Sequence, residues 1–472
     1  MTGQPDSETF TERFSLVPGV YSATTSDGLL RLVIGSRGAG IGTAEPWRLD
    51  ILRRLAKEPC TERELEAAGA GPDALAEFVG ALRIGGWLET EISGPGGAGP
   101  HYALRPTRRP SSPNGPVPDG PVPDDLVLSR FAIAHRERDT EGLVVESPLA
   151  WASARLHDPA LLGTLTGASP STPSPAAGTL AHRFRGDLFR AGLAVPAALP
   201  EDEPFDRRQW SPHELWFHWR SRIGERDSLG RGYGRTRWAD GLYAPVPARR
   251  EPYQSPAIDL HRPDLEALRS RDPALTAVVE DRRSIRANDD DAPITARQLG
   301  EFLYRCARVR ETPRPDGSPQ LSKPYPAGGS VYELELYPVV RRASGLAPGV
   351  YHYDGHDHAL RLVRGPGRGM ERLLATARHG TFERLNPQVL IVVTARFGRL
   401  MWTYEQMPYS LILKHVGVLY QSMYLAATAM GLAPCGLGGG DSETFNEVTG
   451  SGFTAESAVG EFMLGSRPAD GS

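Results

Sequence analysis

The stretch Arg282-Arg283-Ser284-Ile285-Arg286 sets three guanidiniums and a hydroxyl within five residues. Arginine presents a rigid fork of donors that fits a phosphate, and a serine hydroxyl can add one more contact. The run follows an apolar helical stretch (Leu275, Val278, Val279). A solvated face can carry the same charges, so the residues around the run decide its meaning. Three features downstream supply that setting. Lys323-Pro324-Tyr325-Pro326-Ala327-Gly328-Gly329 is a glycine turn feeding a strand, where backbone can approach a flat ligand closely. Pro434-Cys435-Gly436-Leu437-Gly438-Gly439-Gly440 follows a long apolar segment, and peptide N–H groups there could hydrogen-bond a ring edge. Leu464-Gly465-Ser466-Arg467 brings one more cation for a phosphate.

From about residue 258 the pattern is α+β. A helix precedes the arginine run, and another, capped by Thr295, covers 296–309. Residues 332–340 read as a strand, 349–363 as a hairpin around Asp354-Gly355, and the β-branched run 389–395 as a central strand. Residues 411–430 read as a helix apolar nearly all round, suited to the core or to a subunit interface, with Gly431 ending it.

Upstream, composition divides the chain. Residues 93–125, 168–178 and, more loosely, 241–257 are rich in Gly, Pro and Ser, as linkers or loops are. Residues 19–34 alternate as a hairpin with Ser26-Asp27-Gly28 at its turn. Helices follow over 47–57, from about Thr61, where Thr61-Glu62-Arg63-Glu64 is a capping box, and over 72–84. Gly85-Gly86 closes the last of these before Trp87-Leu88-Glu89. This order resembles a winged helix over 1–106, and 107–125 is its linker to a second, degenerate unit over 126–204. That unit has a hairpin in 129–147, helices at 158–165 and 180–191, and Gly192-Leu193 at its close. Residues 205–257 are an aromatic-rich connector, in which Trp210, Trp216, Phe217, Trp219 and Trp238 suit a helix packed onto the domain 258–472.

The 472 residues carry a net charge of −4, so no broad attraction to nucleic acid or anionic membrane is expected. Helix 72–84 sets one Arg against Asp73 and Glu77, unlike a basic DNA-reading helix. Cys60, Cys306 and Cys435 are far apart and odd in number, as in a reducing cytoplasm. The first twenty residues lack an apolar signal core, and Lys414, His415, Gln421 and Ser422 interrupt 411–437 as a membrane span. A soluble cytoplasmic protein is the expectation. His352, His356 and His358 read as exposed hairpin-turn residues rather than metal ligands, and no metal site is expected. Residues 365–369 (GPGRG) lack the strand–helix setting and acidic residue of a dinucleotide fingerprint.

Taken in this order, the arginine run, the two glycine loops and Arg467 resemble the FMN-dependent nitroreductase fold. The agreement is closest with its SagB/McbC-like branch, the azoline dehydrogenases of thiazole- and oxazole-containing peptide biosynthesis. The likeness covers 264–468, through RRSIR, YPAGGSVYELELYPVV…APGVYHYD and MWTYEQMPYSLILKHVGVLYQSMYLAATAMGLAPCGLGGG. Upstream, SRFAIAHRERDTEGLVVESPLAWASARLHDP and WSPHELWFHWRSRIG look like that branch's N-terminal extension. The resemblance implies an FMN domain with a central mixed sheet flanked by helices. It implies that Arg282, Arg283, Ser284 and Arg286 hold the FMN phosphate and ribityl chain, with Arg467 returning to the phosphate. Ala327, Gly328 and Gly329 would lie along the flavin, and Leu437, Gly438 and Gly439 would present backbone near its N5 edge. A homodimer with flavin at the subunit interface is implied as well.

Two positions depart from the family pattern. Ala327 stands where a serine is frequent, and Thr403-Tyr404 stands where the azoline dehydrogenases carry a Lys-Tyr pair implicated in catalysis. The Tyr404 phenol can donate or accept a proton in a shielded site, whereas Thr403 cannot replace an ammonium. Lys414 and His415 are candidates for the missing base, with a structural role as the alternative for each; Lys414 is taken with Tyr404 as the catalytic pair. The implied reaction oxidises an azoline in a ribosomally made precursor peptide to an azole: a base removes the ring proton beside the peptide carbonyl and hydride passes to FMN. Implied partners are that peptide and cyclodehydratase subunits, and the N-terminal units would bind a leader peptide as an added strand or dock the partner subunits. The alternatives are an NAD(P)H-dependent reductase of a small molecule and a non-catalytic leader-binding scaffold.

Overall fold

A computed structural model of the chain describes residues 10–35, 37–94, 99–109, 121–137, 141–165, 179–198, 201, 203–222, 234, 236–313, 319–381 and 386–469. Most of the linker 107–125 and all of the loop 168–178 lie outside the described residues. The chain forms two compact units, Met1–Gly232 and Tyr233–Ser472.

In the first unit, Tyr21–Thr24, Leu29–Ile34 and Arg37–Thr43 form a three-stranded antiparallel sheet, the first pair being the expected hairpin. Helices Pro46–Lys57, Glu62–Glu66 and Pro72–Ile84 follow, and their apolar faces (Ile51, Leu55, Leu75, Phe78, Leu82) meet Leu30, Leu32 and Trp87 in one core. The Thr61 hydroxyl accepts from the Glu64 N–H while the Glu64 carboxylate accepts from the Thr61 N–H, completing the capping box. The second hairpin pairs Ile133–His135 with Leu143–Glu146. One six-stranded sheet runs through both halves, because Pro100–Pro106 pairs with Leu88–Ser93 on one side and Ala152–Leu156 on the other. The strand that would edge a free-standing first unit therefore has both rows of backbone groups satisfied. In the aromatic connector, Phe205 is 79% exposed and Phe217 41%.

In the second unit, seven strands line up in the order Ala257–Asp259, Ala359–Arg364, Gly349–Asp354, Leu334–Val340, Val389–Arg396, Glu456–Ser466 and Leu432–Leu437. All of these pairings are antiparallel, which corrects the expectation of a mixed sheet. The physical reason lies in what covers the sheet. Val389, Ile391 and Val393 face one core with Phe302, Ile412 and Leu419, while Leu390 and Val392 face another with Leu373, Leu374 and Phe445. Burial on both faces makes a strand continuously apolar whatever the direction of its neighbours.

The helix Ala296–Ala307 carries the expected cap, with Thr295 and Gln298 bonded reciprocally. The long helix Pro408–Ala429 buries Ile412, Val416, Leu419, Met423 and Ala427, but Leu413 and Val418 stay exposed, so only one face belongs to the core. Gly431 (φ +67°) ends the helix in the left-handed region that favours glycine. Among the described residues no helix is long and apolar enough to cross a membrane.

Candidate active site

After the helix Leu275–Asp281 the arginine run lies beside the strand Leu432–Leu437, and the Ile285 N–H donates to the Pro434 carbonyl at 2.8 Å. Ile285 is buried, Ser284 and Arg282 are half-buried, and Arg283 and Arg286 are exposed. Tyr424 of the long helix ties this run to the second glycine loop. Its hydroxyl accepts from the Gly436 N–H at 2.7 Å and shares a hydrogen bond with the Ser284 hydroxyl at 2.8 Å. The Arg282 guanidinium sits 5.3 Å from the centre of the same ring. Farther along, the Asp289 N–H donates to the Ser466 carbonyl and the Ser466 hydroxyl to the Asp289 carbonyl at 2.8 Å. Arg467, the next residue, thereby returns to the edge that carries the run.

The second glycine loop leaves room where a ligand's ring edge would need it. Gly438 and Gly439 are exposed, and a Cβ added at either would meet nothing within 4 Å. At Gly440 the situation is reversed: a Cβ would overlap the Glu461 carboxyl group. Glu461 is 7% exposed. Burial pushes its carboxyl from the usual 4.5 up to about 7, and the charge of Asp441 adds to the effect. A carboxyl raised in this way holds its proton longer in the folded state than in the unfolded chain. Stability should therefore fall as pH rises from about 4.5 to about 7, with the cost fully present above that window, on the order of 3 kcal/mol. Glu461→Gln should remove that pH dependence, so the variant should melt higher than wild type at pH 8 and level with it at pH 4, each about a unit or less outside that window. Equal melting temperatures at both would contradict the assignment.

The first glycine turn meets the helix from the other end. Gly329 has φ +60°, and a Cβ there would stand 2.8 Å from the Tyr404 hydroxyl. A Cβ on Gly328 would stand 3.3 Å from Nε2 of His415 and 3.8 Å from the Tyr404 ring. The Gly328 N–H donates to that Nε2 at 2.8 Å, and Nδ1 of His415 lies 2.7 Å from the wholly buried carboxylate of Glu333. The structure thus brings Tyr404, Gly328 and Gly329 together. It also places His415, not its neighbour Lys414, against the turn; Lys414 is exposed on the helix.

Behind the turn, the Lys323 ammonium donates to the Leu334 carbonyl at 3.1 Å, and burial lowers its pKa against the opposing pull of Glu335 and Glu333. Burial alone would raise the Glu335 carboxyl, but a hydrogen bond from His352 and the charges of Lys323 and Arg396 hold it at about 2. His352 and His358 are each 2% exposed, which corrects their assignment to an exposed turn. His352 pairs with Glu335, and His358 bonds Tyr353 and the His261 carbonyl, so packing under the sheet accounts for both. Among the described residues no cluster of His, Cys, Asp or Glu could hold a metal ion.

Sequence reasoning missed Tyr424, Glu333 and Glu461. Tyr420 and Tyr424, four residues apart in a helix otherwise mainly aliphatic at its end, were the available sign of a polar stripe. Glu333 lies within a strand-like apolar run, where an acidic residue needs a partner.

Residues 279–465 match the nitroreductase family, and residues 126–227 match the cyanobactin oxidase ThcOx. A Methanocaldococcus jannaschii protein, provisionally named a nitroreductase, is 29% identical over 181 residues, 38% of this chain and 84% of its own. An Anabaena variabilis structure with the same provisional name is 21% identical over 48% of this chain, with a TM-score of 0.35; the match spans 43% of that chain's length. One from Ralstonia eutropha is 20% identical over 48% of this chain and 97% of its own, with a TM-score of 0.37. A chain of the Escherichia coli microcin synthetase McbBCD complex with truncated pro-MccB17 bound is 22% identical over 40% of this chain and 70% of its own, with a TM-score of 0.34.

Proposed function

Taking the chain as a nitroreductase-superfamily oxidoreductase with a cyanobactin-oxidase region upstream of its redox domain, we propose that it is an FMN-dependent dehydrogenase. Its substrates would be azolines in a ribosomally made precursor peptide, oxidised to thiazoles or oxazoles. One observation carries the proposal. The long helix holds Tyr404's glycine turn through His415 at one end, and the arginine run and second glycine loop through Tyr424 at the other. Tyr424 is nine positions beyond His415, about 14 Å along the helix and about half a turn around it. A proton-transfer group beside one glycine turn and a cluster of cations beside the other glycine loop are the parts that a ligand with a flat ring and a phosphate needs, and a homodimer would let two copies of the helix contribute them to one site.

In this site Arg282, Arg283, Ser284, Arg286 and Arg467 would hold the phosphate end. Ala327, Gly328 and Gly329 would lie under the ring, and Leu437, Gly438 and Gly439 would present backbone at its edge. FMN, when bound, supplies the acceptor for the hydride that leaves the azoline ring. Tyr404 would take or relay the proton beside the peptide carbonyl, a transfer that its place over Gly329 allows. Lys414, exposed on the helix, is not assigned that step. The exposed Leu413 and Val418 of the same helix suit a second copy of the chain, consistent with a homodimer. The edge strand Arg37–Thr43 offers backbone on which a leader peptide could add, and cyclodehydratase subunits would supply the azoline in the cytoplasm.

Mass spectrometry of an azoline-containing peptide incubated with the full-length protein tests the reaction. Each ring oxidised should lose ~2 Da, the mass of two hydrogens. A flavin-loaded protein that leaves every azoline peptide unchanged, yet is bleached rapidly by NADPH, would mark it instead as a reductase of small molecules.

A further inference from the structure

Gly328 and Gly329 follow an unusual backbone path. Gly329, Ser330 and Tyr332 have φ of +60°, +54° and +50°, so two residues with side chains share the left-handed region with the glycine. Such conformations persist only where the surroundings fix them. On one side the fixing group is Arg399, whose Nε donates to the Val331 carbonyl at 3.2 Å. On the other it is His415.

An amide N–H can only donate, so the Nε2 that meets the Gly328 N–H at 2.8 Å carries its lone pair there. The ring proton is therefore on Nδ1, directed at Glu333 Oε1 at 2.7 Å. The Glu333 backbone is fixed in turn, since its carbonyl accepts from the N–H of Arg396 on the central strand at 3.0 Å. Among the described residues its second carboxylate oxygen, Oε2, is buried without a hydrogen-bond partner. That arrangement spends a buried carboxylate on orienting one imidazole, and the imidazole on holding one peptide N–H.

We infer that the Glu333–His415 pair is a positioning device for the turn, setting the Gly328–Gly329 backbone at the height where Tyr404 closes over it. The inference rests on the flavin-site reading of that turn, and neither residue is placed in contact with substrate. Its chemistry makes a specific demand on side-chain shape. Glutamine can present an oxygen where Nε2 stands and so keep an acceptor for Gly328. Asparagine reaches only the Nδ1 position, keeps the contact to Glu333 and leaves the peptide N–H unheld.

The test uses the full-length protein as wild type, His415→Gln, His415→Asn and Glu333→Gln. Two readouts are taken: hydrogen exchange at 328–329 in the flavin-free protein, and the FMN dissociation constant with the visible spectrum of the bound flavin. His415→Asn should speed exchange at the turn and weaken FMN binding roughly tenfold each, with a shifted flavin band, while His415→Gln stays within about threefold of wild type. If both His415 variants match wild type, or if glutamine fares as badly as asparagine, the positioning role is wrong. If wild type itself takes up no FMN, the flavin reading fails, and the exchange data still decide the role of the pair. Should His415→Asn not fold, Glu333→Gln decides: faster exchange at 328–329 supports the inference and unchanged exchange overturns it.

Discussion

Replacing Arg282 and Arg286 together by alanine should weaken FMN binding by about 100-fold to 10,000-fold and leave the purified protein nearly colourless. On the proposed assignment each arginine would contribute a charge-assisted hydrogen bond to the phosphate worth about 1.5–3 kcal/mol, and two such losses would sum to about 3–6 kcal/mol. The fold should tolerate the change. Arg286 is exposed, Arg282 only half-buried, and the backbone of the run stays fixed by the Ile285 N–H on Pro434. Ser284→Ala should cost less, about 1 kcal/mol, since it removes one neutral hydroxyl that is already hydrogen-bonded to the Tyr424 hydroxyl. Flavin absorbance per protein, with circular dichroism to confirm folding, checks both. An undiminished flavin load in the double variant would place the phosphate elsewhere.

Tyr404→Phe should lower the rate of azoline oxidation by about 100-fold to 10,000-fold, the range of a lost general acid–base group. The loss should fall on kcat rather than KM, because the hydroxyl is assigned to proton movement and not to holding the peptide. Flavin content should stay at the wild-type level. Gly329→Ala should approach the same loss by another route, since its Cβ would stand 2.8 Å from the Tyr404 hydroxyl and its φ of +60° disfavours alanine. Initial rates across peptide concentrations separate the cases. A Tyr404→Phe enzyme with wild-type kcat would remove the phenol from the mechanism.

The order of elements in the second unit was legible because its residues state their surroundings locally. Val389–Arg396 is apolar at nearly every position, Thr295 caps its helix through Gln298, and Gly431 stops the long one. Strand direction was not legible, since two covered faces give the same apolar run in either sense. The glycine loops and arginine run were found because their residue types are unusual together. What joins them was hidden by sequence distance. Tyr424 lies 140 residues from Ser284, and Glu333 82 from His415, so only the fold shows that each pair shares a hydrogen bond. The buried histidines of the hairpin misled for a related reason: His352 is polar, but its partner Glu335 sits on the neighbouring strand. The joining of both N-terminal halves through one sheet depends on the strand Pro100–Pro106 pairing on both sides, which no local pattern announces.

The central claim is that this chain moves hydride from an azoline in a peptide to a flavin held between Arg282 and Tyr404. Anaerobic mixing of the flavin-loaded protein with an azoline peptide, without added nicotinamide, tests it most directly. The account predicts that flavin absorbance bleaches in proportion to the rings oxidised, with each ring losing ~2 Da as its two hydrogens depart. Flavin that stays oxidised beside an unchanged peptide, under conditions where NADPH bleaches it at once, would contradict it.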